Sequence, residues 1–318
     1  MMQGVRLLLG LAVSGLCLWL VLSGFLGGAN ITHIMAEVGS ISVMWASLAL
    51  GSLILSYPLN AMRLKYILTI DAGISCRFYQ VLPIVWISSF LSLAAPSAAF
   101  SDGIRATLLR ATKISNLSLA IRAVLVDRAM GLIYTLGLAG ALLLILPANA
   151  NPGISYYWGL VFLFCFFGIG AGIFLGSKFV CKIQLFARLQ NLFNDMHFLM
   201  SSPKTILFFV GFAVFNTFIS AMGMWCIARG FSAEVSFWIF FLLTPAILIV
   251  NNLPIFYQGF GGREATMLFA FGSSSSGISP DLILTISLVS GVAMMVSALF
   301  GSLFLPFLLL RRNSLPVS

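Results

Sequence analysis

The sequence predicts an all-α polytopic membrane protein made of two inverted repeats, each with three transmembrane helices and one re-entrant broken-helix hairpin, giving six spans and two hairpins. Three observations lead there. The 318-residue chain is 60% apolar and only 8% charged, with a mean hydropathy of +1.08, which leaves too little polar surface to cover a water-soluble globule. Two stretches copy one another: Pro96 to Arg105 and Pro254 to Arg263 both spell P-x6-G-x-R, and 158 positions separate them. The basic residues, finally, gather on one side of the membrane when those two stretches are folded as hairpins.

The elements follow in order. Arg6 and the apolar run from Leu7 to Leu26 resemble a signal peptide, but the run exceeds the usual apolar region of about 7 to 15 residues. It therefore predicts a retained first span over 5–28. Apolar windows of about 20 residues, the length that crosses the hydrocarbon core, predict further helices over 39–61, 117–146, 158–176, 205–228 and 281–310. Residues 79–115 and 235–275 are each an apolar run, a Pro/Gly break and a shorter run with an arginine at its start.

Charge decides how those two segments run. If each crosses once, Arg6, Arg63, Lys65, Arg77, Arg229, Arg311 and Arg312 lie inside and the other ten of the 17 basic residues lie outside. If both are hairpins, the first opening to the cytoplasm and the second to the outside, only Arg229 and Arg263 lie outside. The excess of Lys and Arg on cytoplasmic connections favours the hairpins. Three spans per half make the second half enter from the opposite side, so the repeats invert, as in several secondary-transporter folds. The expectation is one integral membrane domain over 1–318, with repeat one over 1–150, repeat two over 151–318 and both termini cytoplasmic. Within repeat two, Phe179, Ile183, Phe186 and Leu189 recur at helical spacing in the Lys178 to Lys204 connection, which predicts an amphipathic helix on the cytoplasmic face.

The formal charge of +9 would suggest nucleic acid in a soluble protein. Here the basic residues sit in short connections beside apolar segments, where they set orientation and touch anionic headgroups, so no nucleic-acid partner is expected. Cys17, Cys76, Cys165, Cys181 and Cys226 form no CxxC pair, and His33 and His197 lie far apart. Neither a disulfide framework nor a metal site is expected. No cofactor motif, nucleotide-binding motif or catalytic set of residues is present.

Irregular backbone at membrane depth survives only where protein or a water-filled cavity satisfies it, so broken hairpins predict a polar cavity. Pro96 and Pro254 break the helix, and Gly103, Gly259, Gly261 and Gly262 permit the turns. The short helix after each turn is expected to start near 103 or 262, with Arg105 or Arg263 in its first turn beside free N–H groups. Helix start and guanidinium together attract anions. An arginine at the bilayer centre costs about 2.5 to 3.5 kcal/mol on the insertion scale, and Asp102 and Glu264 stand close in sequence as neutralising partners. Asp127 and Arg128 open the long helix that follows the first hairpin and serve either as a further cavity wall or as an interfacial anchor. Asn251 and Asn252, just before Pro254, are expected to bond freed backbone groups, with direct substrate contact as the other reading.

The strings Ala95 to Arg105, Asp127 to Leu132 and Leu253 to Glu264 resemble the lysylphosphatidylglycerol synthase transmembrane family, in which the flippase half of the multiple peptide resistance factor and stand-alone prokaryotic relatives are found. The resemblance runs along almost the whole chain. It implies lipid translocation in a prokaryotic cytoplasmic membrane, acting on phospholipid or polyprenyl-linked headgroups. By position, Pro96, Asp102, Gly103 and Arg105 match the first motif, Asp127 and Arg128 the acidic-Arg pair, and Gly259, Gly261 and Glu264 the second. Two departures stand out: the acid of the first motif precedes its glycine here, and position 127 is Asp where Glu is common. The chain ends Arg311-Arg312-Asn-Ser-Leu-Pro-Val-Ser318, so the aminoacyl-transferase domain of fused relatives is not expected. A lipid synthase or glycosyltransferase would then be encoded separately, and nothing in the sequence argues against a homo-oligomer.

Three functions stay open on the residues alone. One is a flippase holding an anionic headgroup between the hairpins, at a site of Arg105, Arg263, Asp102, Glu264, Asp127, Arg128, Asn251 and Asn252. Another is a non-transport subunit that partners a synthase through segment 178–204. The third is an intramembrane lipid-phosphate enzyme with Asp102, Asp127 or Glu264 as base, for which no nucleophile or metal set is recognisable.

Overall fold

The computed structural model describes residues 39, 41–70, 73–93, 98–145, 156–178, 184–252, 256, 259–272 and 279–306. The span expected over 5–28, Pro96 and Pro254 all lie outside the described residues. Within them the chain is all-helical, without a strand. The helices are α1 (Val43–Ile70), α2 (Phe78–Ser92), α3 (Ala98–Ala111), α4 (Leu117–Ile145), α5 (Tyr156–Lys178), α6 (Gln184–Ser201), α7 (Pro203–Gly230), α8 (Phe237–Asn252), α9 (Gly262–Gly272) and α10 (Pro280–Leu299), the last continued by a 3-10 turn over Phe300–Phe304.

Local chemistry sets several starts. Asn116 Oδ1 accepts the Leu119 N–H at 2.9 Å ahead of α4, and Ser279 Oγ accepts the Leu282 N–H ahead of α10. Both satisfy donors that a helix start leaves open. Pro203 and Pro280 each sit in the first turn of a helix, where a missing N–H costs nothing. Four helical stretches, Val43–Ile70, Tyr157–Gly176, Pro203–Gly230 and Pro280–Phe304, are long and apolar enough to cross a membrane. Their outward side chains fit that solvent: Phe164 is 80% exposed and Leu207 73%. This is a multi-pass membrane protein.

α1 and α7 lie against one another. Tyr66 stacks on Phe208 with ring centroids 4.0 Å apart, its Oη hydrogen-bonded to Thr205 Oγ1 at 3.2 Å, and Gly223 lets Ser52 approach. α4 packs as closely on α5, where a Cβ on Gly140 would lie 2.9 Å from the backbone nitrogen of Leu163. Contacts in the first half recur in the second. α1 packs on α2, α2 on α3, α3 on α4 and α1 on α4; likewise α7 packs on α8, α8 on α9, α9 on α10 and α7 on α10. The interior forms two apolar clusters, one centred on α7, α8, α9 and α10, the other on α1, α2, α4 and neighbouring parts of α6 and α7.

Two local expectations change, and a third, a helix in the 178–204 connection, is met over Gln184–Ser201. The first described helix continues past 61 to Ile70, because Ala61, Leu64, Ile67 and Leu68 keep an apolar face that is fully buried. Arg63 and Lys65 are thereby helical, not part of a connection. Gly103 lies inside α3, not in the turn: Ala98, Ala99 and Ser101 carry the helix back to residue 98, and an added Cβ on Gly103 would meet nothing. The amphipathic segment forms helix α6 from Gln184 to Ser201, which Arg122 of α4 holds by a double hydrogen bond to Asp195, 2.8 Å to each oxygen.

Helix-to-helix contact of this closeness leaves no room for a larger side chain. Gly140→Leu overpacks the α4–α5 seam and is expected to cost about 1 to 3 kcal/mol, read as a lower thermal midpoint of the detergent-purified protein. Gly103→Ala is expected to leave that midpoint unchanged or raised.

Candidate functional site

A polar cavity of about 320 Å³ takes its walls from both halves of the chain. From the first half come Asn60 and Arg63 of α1, Arg105 of α3, and Asp127 and Arg128 of α4. From the second come Asn216 and Ser220 of α7 and Asn251 and Asn252 of α8. Helical spacing places them: Ser56, Asn60 and Arg63 share one face of α1, as do Asn216 and Ser220 on α7.

Asp127 is the centre of the charge arrangement and is fully buried. Arg63 donates Nε to Oδ1 at 2.7 Å and Nη2 to Oδ2 at 2.9 Å, the two-pronged geometry that a guanidinium makes with a carboxylate. The Arg63 guanidinium also lies over the Phe212 ring, 4.7 Å from its centroid. Gly131, one turn along from Asp127, is the space it occupies, since a Cβ there would stand 2.5 Å from Arg63 Nη1. Arg105 reaches Asp127 Oδ2 with Nη1 at 3.6 Å and donates Nε to Ser88 Oγ at 3.2 Å.

Asp102 pairs with Arg128 of α4, Oδ2 to Nε at 2.5 Å, and not with Arg105 three residues on. Arg128 also donates Nη1 to Asn252 Oδ1 at 3.0 Å, and that contact ties the first half to α8. Asn252 Nδ2 donates back to Leu248 O at 2.7 Å. The neighbouring Asn251 has both amide atoms buried and without a hydrogen-bond partner among the described residues.

The other expected arginine stands apart. Arg263 is fully buried, and its side chain makes no part of the cavity wall. Nη2 pairs with Glu264 Oε1 at 2.9 Å and Nε donates to Ser287 Oγ at 3.2 Å, while the guanidinium lies 4.9 Å from the Phe260 ring centroid. Ser287 Oγ in turn donates to Glu264 Oε1, and Glu264 Oε2 accepts the Gly261 N–H at 2.6 Å. Gly259 and Gly261 hold φ of +79° and +86°, the left-handed turn that glycine tolerates. Gly262 begins α9.

The structure thus gathers Arg105, Asp102, Asp127, Arg128, Asn251 and Asn252 at one place and puts Arg263 and Glu264 in a closed cluster beside α10. Sequence reading missed Arg63, Asn60 and Asn216 as wall residues. The polar stripe Ser56, Asn60, Arg63 at helical spacing was the available signal, hidden by ending that helix at 61. Three wall arginines (63, 105, 128) stand against one wall carboxylate, Asp127, and against Asp102, which pairs with Arg128 from outside the wall, so the formal balance of the cavity and its ion pairs is positive. No group of three or more metal-ligating side chains occurs among the described residues.

A family model described as the lysylphosphatidylglycerol synthase TM region matches residues 7–313. No curated protein matches the chain.

Removing the Asp127 charge strands Arg63 and crowds it against Arg105. Asp127→Asn is expected to cost about 3 to 5 kcal/mol, the range for breaking one side of a buried pair. The double variant Asp127→Asn with Arg63→Met is expected to recover part of that loss. A thermal-unfolding double-mutant cycle checks this, and additive losses would remove the pairing from the account.

Proposed function

The chain belongs to the lysylphosphatidylglycerol synthase transmembrane family, a membrane family tied to lipid modification, and from that premise we propose that it moves a lipid across the cytoplasmic membrane. The headgroup passes through the polar cavity while the acyl chains stay in the bilayer. The observation that carries the proposal is the cavity itself: a polar, net-positive space walled by both halves of an otherwise apolar helical bundle. Such a space has no purpose in a bundle held only by packing, because polar walls at membrane depth are costly.

The repeated contact pattern of α1 to α4 and α7 to α10 supports two inverted repeats, with α2–α3 and α8–α9 as the hairpins. In this reading both termini are cytoplasmic, the membrane is the inner membrane of a prokaryote, and the chain transports without altering its lipid. A separately encoded synthase or glycosyltransferase supplies the substrate. Arg105 is the headgroup contact, whereas Arg263 serves the architecture: its charge is already matched by Glu264 and Ser287.

Two measurements test the proposal. In proteoliposomes, transfer of a fluorescent phospholipid between leaflets is expected to fall at least tenfold in Arg105→Gln, with total lipid unchanged by thin-layer chromatography; unaltered flux in the variant would refute the assignment. Cysteine labelling at Ser101 and Ser273, in a background without the five native cysteines, is expected from opposite faces, and labelling of both from one face would break the inverted hairpins.

A further inference from the structure

Asp102 is a carboxylate whose two oxygens are treated differently. Oδ2 takes Arg128 Nε at 2.5 Å, whereas Oδ1 is buried and has no hydrogen-bond partner among the described residues. Asp127, Asp195 and Glu264 each have both oxygens matched. An ionised oxygen taken out of water without a donor carries the cost of its lost hydration, and a proton placed on it removes most of that cost. The Asp102 side chain keeps 13% of its surface exposed, and Gly103 beside it leaves open space, an edge by which a proton can arrive.

The charges that act on Asp102 are Arg128 and the like-charged Asp127 on α4 and Arg105 on its own helix. The other helix packed on α3 is α2, whose one titratable side chain is Tyr79 in the first turn, with Arg77 just ahead of it. What the Asp102–Arg128 pair controls is a contact between halves. Arg128 donates Nη1 to Asn252 Oδ1 at 3.0 Å, and Asn252 is fixed to α8 through its own Nδ2 on Leu248 O. Asp102, Arg128 and Asn252 thus form a row across α3, α4 and α8, and the last two line the cavity. The charge on Asp102 holds Arg128 in that row, because a hydrogen bond between ionised groups is about twice as strong as a neutral one.

We propose that Asp102 is a proton-carrying site and that its protonation unlatches the two halves at Arg128 and Asn252. Solvent supplies the proton, an O–H bond forms at Oδ1, and the bond from Arg128 Nε to Oδ2 loses its ionic part. Arg128 then stands as an unmatched cation at the cavity. A state in which Arg128 has parted from Asp102 holds the proton more tightly than the paired state, so acid favours the parted state and alkali the latched one. The added positive charge makes the cavity a better host for an anion, so proton and anionic headgroup enter together. The proton site stands on the geometry; its coupling to transport rests on the reading of the chain as a lipid transporter.

Infrared difference spectra of the full chain in phosphatidylcholine vesicles, taken between about pH 8 and about pH 5, read the site without any transport. A component of the protonated-carboxyl band is expected to appear on acidification, to be missing in Asp102→Asn and to persist in Glu234→Gln, which alters an exposed carboxylate. In the same vesicles, leaflet transfer of a fluorescent phosphatidylglycerol is expected to rise at least roughly fivefold over that range. Asp102→Asn is expected to transfer at one rate throughout, and Asp102→Glu to restore both the band and the pH dependence. Asn252→Leu, which removes the far end of the row, is expected to keep the band and lose the pH dependence.

An unchanged band in Asp102→Asn overturns the proton site. A band lost as expected, with transfer that ignores pH in the wild type or still follows it in Asn252→Leu, overturns the latch. Should Asp102→Asn fail to fold, the displaced band of Asp102→Glu decides the site and Asn252→Leu the latch. Absence of transfer at every pH sinks the translocation reading, while the band keeps the proton site.

Discussion

A charged group inside an apolar bundle must bring its own partner, and the Arg63–Asp127 pair is where this molecule meets that demand. Asp127 is fully buried on α4 and receives both prongs of a guanidinium from α1. Much else follows from it. Gly131 has to be small for Arg63 to fit, Arg105 can approach the same carboxylate without being consumed by it, and the cavity wall keeps a positive balance. An ion pair of this kind adds little net stability over an apolar pair. What it fixes is position: α1, α3 and α4 share one point.

The two halves solve the same problem differently. Asp127 and Gly131 on α4 stand four residues apart, as do Ser287 and Gly291 on α10, and in each case the glycine makes room for a guanidinium. Arg63 fills the first place and Arg263 the second. In the second half, though, the carboxylate is supplied by Glu264 next door, and Ser287 takes the role of hydrogen-bonding support. One half closes its arginine away from the cavity, and the other leaves one partly engaged at its edge.

Much of this was legible in the sequence and some of it was not. Composition and apolar run length give the helical membrane class, and the ends of α4, α5 and α7 fall within two residues of expectation because polar breaks flank long apolar runs. The P-x6-G-x-R copies pointed to both arginines and to the left-handed glycines at 259 and 261. Pairing was harder to read. Asp102 and Arg105 are neighbours along the chain, yet Asp102 turns to Arg128, since which face of α3 meets α4 is a matter of packing between helices and not of spacing within one. Arg63 escaped notice for a related reason: charge near the end of an apolar run looks like a connection until burial of Leu64, Ile67 and Leu68 shows the helix going on.

The spacing of each arginine from its counter-ion also bears on how the chain enters the membrane as it is made. Arg263 and Glu264 are adjacent, so the segment that carries them arrives as a neutral unit, its charges matched before Ser287 is made. Arg63 and Asp127 lie 64 residues apart. The helix bearing Arg63 emerges first and holds an unmatched charge until α4 follows, which makes synthesis of α4 the step that commits the first half to the bilayer, and leaves the second half free to insert at its own pace.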